Sequence, residues 1–417
     1  MMLFKKVLIL FLVYLTIYRP EMFFIPHSIN LTFGMMGLLL YLFRSKYNKY
    51  LAQKTTQTFR WMIVATAPIV IISIGSCLTN FSTDFEFVTY PLTLTFALFF
   101  SYLVATLFYD VYGKIEARTI LGYIFSCQLI YIILAVLMFV SPAVKSLLLP
   151  LLKLGETAES IYSMEDGIRL TCFGASFYTA GLINGFVLIL LAFYISVYKH
   201  SQIKLVLLYL FYILITATGM MMARTTLVGA GIGICVLVYY WLKSGKEIFK
   251  TIFYVSLAIY LLIALISRLS VEAQEVIERL SDFAFELFIN FHETGSASTA
   301  SSDRLIEMYE TMPDNFITWL VGDARWVGEN GSYYKHVDVG YLRSLFYFGM
   351  LGVFALFYFY ASALRRVILK NNMLPQGNML LFLSLLGYVL VLNLKGPADL
   401  FYYIIPFLYC DNHEYAG

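Results

Sequence analysis

Long apolar segments recur along the whole chain and are separated by shorter polar ones. A helix needs about 20 residues to cross the hydrocarbon core of a membrane, and many segments approach this length. Twelve are counted, at roughly 7–25, 28–43, 61–79, 90–109, 119–140, 175–197, 203–222, 226–242, 251–267, 339–362, 377–394 and 398–410. The second contains Gly37 and the last is short, so eleven spans is the alternative count. The pattern predicts an all-α fold in which residues 1–417 form one integral membrane helical bundle.

The composition agrees with a membrane protein. Of the 417 residues, 60% are hydrophobic and 18% aromatic, and the mean hydropathy is +0.77. Charged residues make up 13%, about half the share found in a soluble domain. The first apolar run lacks a small-residue cleavage site, so we expect it to be retained as a span. The five cysteines are scattered without metal-ligand spacing, and we expect neither a disulfide nor a bound metal.

The basic residues predict the orientation of the bundle, because Lys and Arg concentrate in the cytoplasmic loops of membrane proteins. Alternate connections hold 17 of the 29 Lys and Arg residues, and the opposite connections hold 21 of the 26 Asp and Glu residues. We therefore expect both termini in the cytoplasm and an acidic outer side. The basic connections are those that contain Lys5, Arg44, Lys114, Lys199, Lys243 and Arg365.

Two connections on the predicted outer side are long, and nothing of domain size lies on the cytoplasmic side. The first outer loop runs from about 141 to 174, and the second from about 268 to 338. No P-loop pattern is present, and GAGIG at 229–233 lies inside an apolar segment that follows no strand. Glycines four residues apart on an apolar helix favour close helix packing. We therefore interpret these glycines as packing residues rather than as a nucleotide site.

The loop 268–338 begins with an amphipathic helical pattern. Between Val276 and Phe291, apolar residues recur at helical spacing, and acidic residues occupy the other face. The Ser/Thr/Gly stretch HETGSASTASSD follows, and Ser302 or Asp303 could cap a second helix that ends before Pro313. Two interpretations stay open, a hinged lid over a lipid-facing cavity and a loop that only packs on the bundle.

Arg224 stands inside the apolar stretch GMMMARTTLVGAGIG, at the predicted outer end of the eighth span. The nearest acidic residues along the chain are Asp166 and Glu247. A guanidinium keeps its proton, and burying it without a partner is costly. Because ionisable residues at membrane depth usually have a function, we expect Arg224 to bind an anion. The alternative is an arginine whose side chain reaches out to lipid headgroups.

Arg169 and Arg304 occupy comparable positions on the predicted outer side. Arg169 precedes the sixth span, and Arg304 begins the second helix of the long loop. Guanidinium groups match phosphate oxygens in bidentate geometry, so these arginines together with Arg224 predict a site for a phosphorylated lipid headgroup. The alternative for Arg169 and Arg304 is an ion pair with a neighbouring acid, namely Glu165, Asp166, Asp303 or Glu307.

The segment that closes the long loop is aromatic and ends in two titratable residues. Its rings either anchor at headgroups or stack on sugars, and they belong to Trp319, Trp326, Tyr333 and Tyr334. His336 and Asp338 follow at the mouth of the tenth span. Either side chain can accept a proton from a hydroxyl group. Because residues two apart on a helix do not face each other, we expect only one of them to act.

Taken in order, these features resemble the O-antigen polymerase and O-antigen ligase superfamily of integral membrane enzymes. ART at 223–225 resembles the family's basic motif at the outer start of a span, and Arg304 followed by WLVGDA with Gly322 resembles its R…G segment. HVDVGYLRSLFYFGMLG is similar to the polymerase signature, in which Asp and Gly precede a Gly-x-x-Gly helix. The likeness covers roughly residues 165–360. Asp338 matches a position that polymerases tend to fill with Asp, which favours polymerase over ligase.

The resemblance implies a glycosyl transfer that uses no cofactor and no metal. A hydroxyl of a lipid-linked repeat unit would attack the anomeric carbon of the growing chain, and undecaprenyl pyrophosphate would depart. By resemblance, Arg224, Arg304 and Arg169 would bind the pyrophosphate. Arg224 would also stabilise the charge of the leaving oxygen, and Asp338 or His336 would accept the proton. The implied partners are an undecaprenyl-pyrophosphate-linked oligosaccharide, membrane lipid, a chain-length regulator and a flippase, with no nucleic acid.

The implied location is the inner membrane of a bacterial cell, with the active site facing the periplasm and a role in lipopolysaccharide or other surface polysaccharide biosynthesis. Two alternatives stay open: an O-antigen ligase of the same superfamily, and a lipid-linked oligosaccharide flippase or other transporter. The middle of each span is nearly free of charge, and no internal repeat is evident. Both features count against transport.

Overall fold

A computed structural model describes residues 2–25, 27–44, 48–153, 169–170, 172–244, 300–328 and 331–410, with scattered residues between 253 and 295. These residues contain no β-strand, so the predicted all-α fold is confirmed for them. Their α-helices are α1 (Met2–Tyr18), α2 (Ile29–Arg44), α3 (Lys49–Asn80), α4 (Tyr90–Tyr112), α5 (Ala117–Val140), α6 (Pro142–Leu148), α7 (Phe177–Val197), α8 (Gln202–Met222), α9 (Thr226–Ser244), α10 (Ala300–Glu310), α11 (Phe316–Val321), α12 (Gly340–Leu364), α13 (Asn378–Leu392) and α14 (Phe401–Ile404).

Seven helices of the described chain are long and apolar enough to cross a membrane, so the protein is a multi-pass helical membrane protein. They coincide with the predicted third to eighth segments and with the tenth. They are Lys49–Asn80, Tyr90–Tyr112, Ala117–Val140, Phe177–Val197, Gln202–Met222, Thr226–Lys243 and Gly340–Lys370.

The remaining predicted spans are shorter or lie elsewhere. The helices α1, α2 and α13 have 17, 16 and 15 residues. The segment 398–410 forms the short α14 and then a 3-10 helix over Ile405–Tyr409. Pro406 lies at the start of the 3-10 helix, and proline cannot donate the hydrogen bond that would continue α14. The segment 251–267 falls mostly outside the described residues, as do most of the amphipathic pattern and residues 154–168. The count of twelve spans stays a prediction.

The described residues divide into two compact units. The first comprises Met1–Leu12, His27–Ile120 and Ala300–Gly417, and the second comprises Val13–Pro26 and Leu121–Thr299. Asp338, His336 and Arg304 belong to the first unit, whereas Arg224 and Arg169 belong to the second.

The second unit is built around α7, which is buried along nearly its whole length. Gly229 on α9 lies against Gly185 on α7, since a Cβ atom added at Gly229 would lie 2.1 Å from the Gly185 Cα atom. The interpretation of the GAGIG glycines as packing residues is therefore confirmed at Gly229. Tyr18 donates to Gln128 over 2.8 Å, and the Gln128 amide donates to Asn184 over 2.8 Å. These buried polar groups satisfy one another where membrane lipid offers no partner.

In the first unit, α12 is broken near its middle. Phe348 (φ −136°, ψ 19°) and Gly349 (φ 66°, ψ −172°) depart from helical geometry. The positive φ angle favours glycine at 349, and so does the close approach of the α11 segment. A Cβ atom added there would lie 2.2 Å from the carbonyl carbon and oxygen of Leu320. The break lets the end of α11 pack directly on the backbone of α12.

The backbone groups that the break releases are bonded to other parts of the protein. Phe346 O accepts from Asp323 N over 2.5 Å, and Tyr347 O accepts from Ala324 N over 2.9 Å. Ser76 on α3 also donates to Tyr347 O over 2.9 Å. Irregular backbone in a membrane protein is tolerated where the protein satisfies it in this way. The break therefore fixes residues 323–324 against α12, directly before the aromatic segment.

The second helix predicted in the long loop is confirmed as α10, although it begins at Ala300 rather than after a cap at Ser302 or Asp303. Asp303 lies in its first turn, where a carboxylate interacts favourably with the helix dipole. Leu305, Met308 and Tyr309 pack α10 against the apolar cluster at the start of α12. The helix that carries Arg304 is thus anchored next to the segment that carries Asp338.

Candidate functional site

Asp338 lies directly before α12, between two buried valines. Val337 and Val339 are buried in the apolar cluster, and both have extended backbone conformations. Because side chains alternate along an extended segment, the Asp338 side chain lies on the opposite side from the valines. Its backbone N–H lies 3.4 Å from Met308 Sδ on α10, and 45% of the side chain is exposed. The carboxylate is therefore held at the edge of the packed core and remains accessible.

Arg343, in the first turn of α12, carries a positive charge close to Asp338. Its Nη1 atom lies 3.8 Å from Asp338 Oδ1. The guanidinium carbon lies 3.8 Å from the ring centre of Trp326 and 4.1 Å from that of Tyr333, within the range of cation–π contacts. Only 8% of the residue is exposed. A buried cation, a half-buried carboxylate and two aromatic rings thus form the centre of the candidate site.

The pKa of Asp338 is raised from its ordinary value, chiefly because burial disfavours the charged form. The positive charges of Arg343 and Lys395 offset part of this effect. A carboxylate is a more effective general base when its pKa lies closer to the working pH. The environment of Asp338 thus suits it to accept a proton from a hydroxyl group.

The rings that contact Arg343 lie on two segments that pair through an isolated antiparallel bridge between Val327 and Tyr333. The Asp84 carboxylate accepts hydrogen bonds from Trp326 N over 2.6 Å and from Val327 N over 3.3 Å. Tyr347 Oη on α12 donates to the Asp84 carbonyl over 2.7 Å. Asp84, in the α3–α4 connection, therefore bonds to the Trp326–Val327 backbone and to α12, and it fixes the backbone that carries the Trp326 ring.

Sequence reasoning missed Arg343 and Asp84 as site residues. Arg343, like Arg224, is an ionisable residue in an apolar segment. It lies within HVDVGYLRSLFYFGMLG, where the sequence pattern indicates Asp338 as the functional residue. Asp84 gives no local signal, because its partners lie 242 and 243 residues further along the chain. Only the fold brings it to the site.

His336 and Arg304, both predicted site residues, are exposed. His336 ends a 3-10 turn with a left-handed φ of 57°, and its N–H donates to Tyr333 O over 2.9 Å. Arg304 precedes Met308 by one helical turn on α10. Within the described part of the chain it has no ion pair, so the alternative of a pair with Asp303 or Glu307 is not observed.

Arg224 lies in the connection between α8 and α9, and it forms an ion pair with Glu286. The local sequence offers no carboxylate, so this partner could not be expected from spacing. Arg169 lies near the end of α8, because its neighbour Leu170 donates its N–H to Met221 O over 3.2 Å. Its guanidinium carbon also lies 6.0 Å from the ring centre of Phe177. The anion-binding role of both arginines stays a prediction.

Among the described residues, no three His, Cys, Asp or Glu side chains converge in a way that could hold a metal ion. No family model matches the chain, and neither a curated protein nor a solved structure matches it. The family resemblance therefore depends on the motifs themselves.

Proposed function

We propose that this protein is a membrane glycosyltransferase that polymerises a surface polysaccharide such as O-antigen. It would move the growing glycan from undecaprenyl pyrophosphate onto a lipid-linked repeat unit. The observation that carries the proposal is the Asp338 carboxylate, half-buried beside Arg343, Trp326 and Tyr333 at the start of a membrane helix. The site thus combines a candidate base with a buried positive charge at the mouth of a membrane helix.

The proposed reaction needs only a base and charge stabilisation. The hydroxyl oxygen of the incoming repeat unit forms a bond to the anomeric carbon of the growing chain. The bond from that carbon to the pyrophosphate oxygen breaks, and its electron pair leaves with undecaprenyl pyrophosphate. Asp338 accepts the hydroxyl proton, a role supported by its accessible side chain and raised pKa. His336 is the second candidate for this role, and its exposure is compatible with it.

Pyrophosphate binding is assigned to Arg304, Arg224 and Arg169 on the strength of the family resemblance. Arg304 is exposed, so its guanidinium is available to an anion, and this supports its proposed role in pyrophosphate binding. The ion pair of Arg224 with Glu286 is compatible with binding if a phosphate oxygen replaces the carboxylate. Guanidinium groups at the leaving oxygen would act mainly in the transition state, where its charge is greatest.

The proposal includes the membrane arrangement. We propose twelve spans, both termini in the cytoplasm, and a site that faces the periplasm across the bacterial inner membrane. The alternation of basic and acidic connections supports this orientation. Undecaprenyl-linked oligosaccharides are then the substrates, and a flippase and a chain-length regulator are the proposed partners.

One observation favours the second candidate, a lipid-linked oligosaccharide transporter. Transporters commonly build their substrate sites at breaks in membrane helices, and α12 is broken at Phe348 and Gly349. The carbonyls of Phe346 and Tyr347, however, are already bonded to the 323–324 backbone and to Ser76. Because these carbonyls already have hydrogen-bond donors, they support the interpretation that the break holds residues 323–324 against α12 rather than binding a substrate. We therefore rank transport below polymerisation.

The test is a glycan profile from a deletion strain complemented with wild-type protein, with Asp338→Asn, or with Asp314→Asn. Asp314 is an exposed acid and serves as the matched control. We expect a ladder of chain lengths from the wild type and the control, and single repeat units from Asp338→Asn. A full ladder from Asp338→Asn would exclude Asp338 as the base. Accumulated lipid-linked long chains in the deletion strain would instead indicate a ligase.

A further inference from the structure

Burying the Arg343 guanidinium is energetically unfavourable, so its position suggests a functional role. The guanidinium is buried at the start of a membrane helix, and it cannot lose its proton in response. Among the described residues its Nε atom has no hydrogen-bond partner, and Nη2 donates a long bond of 3.4 Å to Trp326 O. Its other interactions are the two rings, a side-chain hydrogen bond with Tyr333, and the charges of Asp338 and Glu86. Hydrogen bonds therefore satisfy the guanidinium only in part.

Both rings contact the guanidinium. Its central carbon lies 3.8 Å from the ring centre of Trp326 and 4.1 Å from that of Tyr333, so moving the group away would weaken both cation–π contacts. Trp326 is fixed in turn through its backbone bond to Asp84. The Arg343 charge is thus held by the fold at a set distance from Asp338, as a preorganised catalytic site requires.

The separation of 3.8 Å between Nη1 and Asp338 Oδ1 distinguishes this pair from a tight structural salt bridge. A bidentate arginine–carboxylate pair has N–O distances of about 2.7–2.9 Å and occupies both carboxylate oxygens. Here the positive charge acts on Asp338 while its oxygens remain able to accept another hydrogen bond. An acceptor hydroxyl would need this free capacity.

We propose that Arg343 is a positioning residue, which the Trp326 and Tyr333 rings hold in place so that its charge orients the Asp338 carboxylate and favours its ionised form. The inference deepens the proposed function and rests on it for the role of Asp338. A lysine at 343 would supply a charge but would lack the planar guanidinium that contacts both rings. We therefore expect lysine to replace arginine only in part.

Other charged groups also surround Asp338 and enter the interpretation of any pH dependence. Lys395, which follows α13, acts in the same direction as Arg343. Glu86 in the α3–α4 connection interacts with the charge of Arg343. The 3-10 turn before Asp338 carries Lys335 and His336, and α10 carries the exposed charges Arg304 and Glu307.

The test uses the full-length protein in detergent and dicyclohexylcarbodiimide, a reagent that modifies protonated carboxyl groups. Mass spectrometry of the peptide that contains Asp338 gives the extent of labelling at each pH. Removing a neighbouring positive charge raises the pKa of a carboxyl group, by up to about one to three units for a close pair. In Arg343→Gln we expect the labelling midpoint to rise by about one unit. In Arg343→Lys we expect a smaller rise.

Arg365→Gln is the matched control, because Arg365 is exposed and follows the other end of α12. We expect it to leave the midpoint unchanged. An unchanged midpoint in both Arg343 variants would overturn the inference. Arg343→Lys retains a charge and covers the case in which Arg343→Gln does not fold.

The acid limb of the pH–activity profile for chain extension provides the second measurement. We expect this limb to shift upward in Arg343→Gln together with the labelling midpoint, with a larger loss in kcat than change in KM. Labelling does not depend on glycan synthesis, so it separates two kinds of failure. If Asp338→Asn remained active but the midpoint still shifted in Arg343→Gln, the proposed function would fail while the coupling of the two residues would stand.

Discussion

Arg224 forms an ion pair with Glu286, which lies 62 residues further along the chain. A carboxylate and a phosphate oxygen make the same kind of contact with a guanidinium group. Glu286 therefore occupies the position that we assign to an anion, and any ligand of Arg224 must compete with it.

Glu286→Gln is expected to strengthen the binding of inorganic pyrophosphate, because the competing charge is removed. Partly exposed ion pairs contribute on the order of 0.2–1 kcal/mol, which corresponds to an increase of up to roughly fivefold in affinity. Titration calorimetry in detergent measures it, with Asp282→Asn on the same segment as the control. Weaker binding by Glu286→Gln would show that the pair positions Arg224 instead of competing with the ligand.

Asp338→Asn is expected to preserve or increase stability while abolishing chain extension. The pKa of Asp338 is raised by burial, so its folded-state value lies above the unfolded value of about 3.9. Such a group contributes its full stability below the unfolded pKa, and this contribution is lost as pH rises through the folded pKa. Asparagine does not ionise, so Asp338→Asn does not lose this contribution to stability as pH rises. Solvent screening limits the effect to at most about 1 kcal/mol for a half-exposed side chain.

Thermal unfolding in detergent at a series of pH values measures this difference. The unfolding temperature of Asp338→Asn should match that of the wild type near pH 4 and should equal or exceed it at neutral pH. If Asp338→Asn became less stable than the wild type as pH rises, this result would contradict the assigned pKa direction and would point to a stabilising ion pair between Asp338 and Arg343.

Gly349→Ala is expected to lower the free energy of unfolding by about 2–4 kcal/mol. The φ angle of 66° disfavours a side chain, and a Cβ atom would lie 2.2 Å from the backbone of Leu320. Gly387→Ala on α13 is the matched control, because no atom lies within 4 Å of its added Cβ. The control should gain up to about 1 kcal/mol from higher helix propensity. Equal stability of the two variants would contradict the packing of α11 on the break.

The helices could be predicted from the sequence where their apolar runs are long. The third to eighth segments and the tenth follow directly from hydropathy. A helix satisfies its own backbone hydrogen bonds, so a long apolar run is sufficient to predict that it spans the membrane. The break in α12 could not be predicted. The segment LFYFGMLG indicates a continuous apolar helix, whereas the conformation of Gly349 is decided by the approach of Leu320, which precedes it by 29 residues.

The candidate site was predictable only in part. Asp338, Trp326 and Tyr333 belong to one short segment, so the sequence alone indicates that they lie close together. The partners that define their chemistry arise from tertiary contacts: Asp84 from the α3–α4 connection, and Arg343 through its contacts with the two rings. The same limitation applies to Arg224, whose carboxylate comes from a distant segment.

The most direct measurement follows the fate of the lipid-linked repeat unit itself. The deletion strain provides the undecaprenyl-pyrophosphate-linked single unit, which is added to purified wild-type protein in lipid nanodiscs. We predict linked pairs and longer chains of units, with one undecaprenyl pyrophosphate released for each new linkage, and neither product from Asp338→Asn. Intact single units after incubation with well-folded wild-type protein would contradict polymerisation.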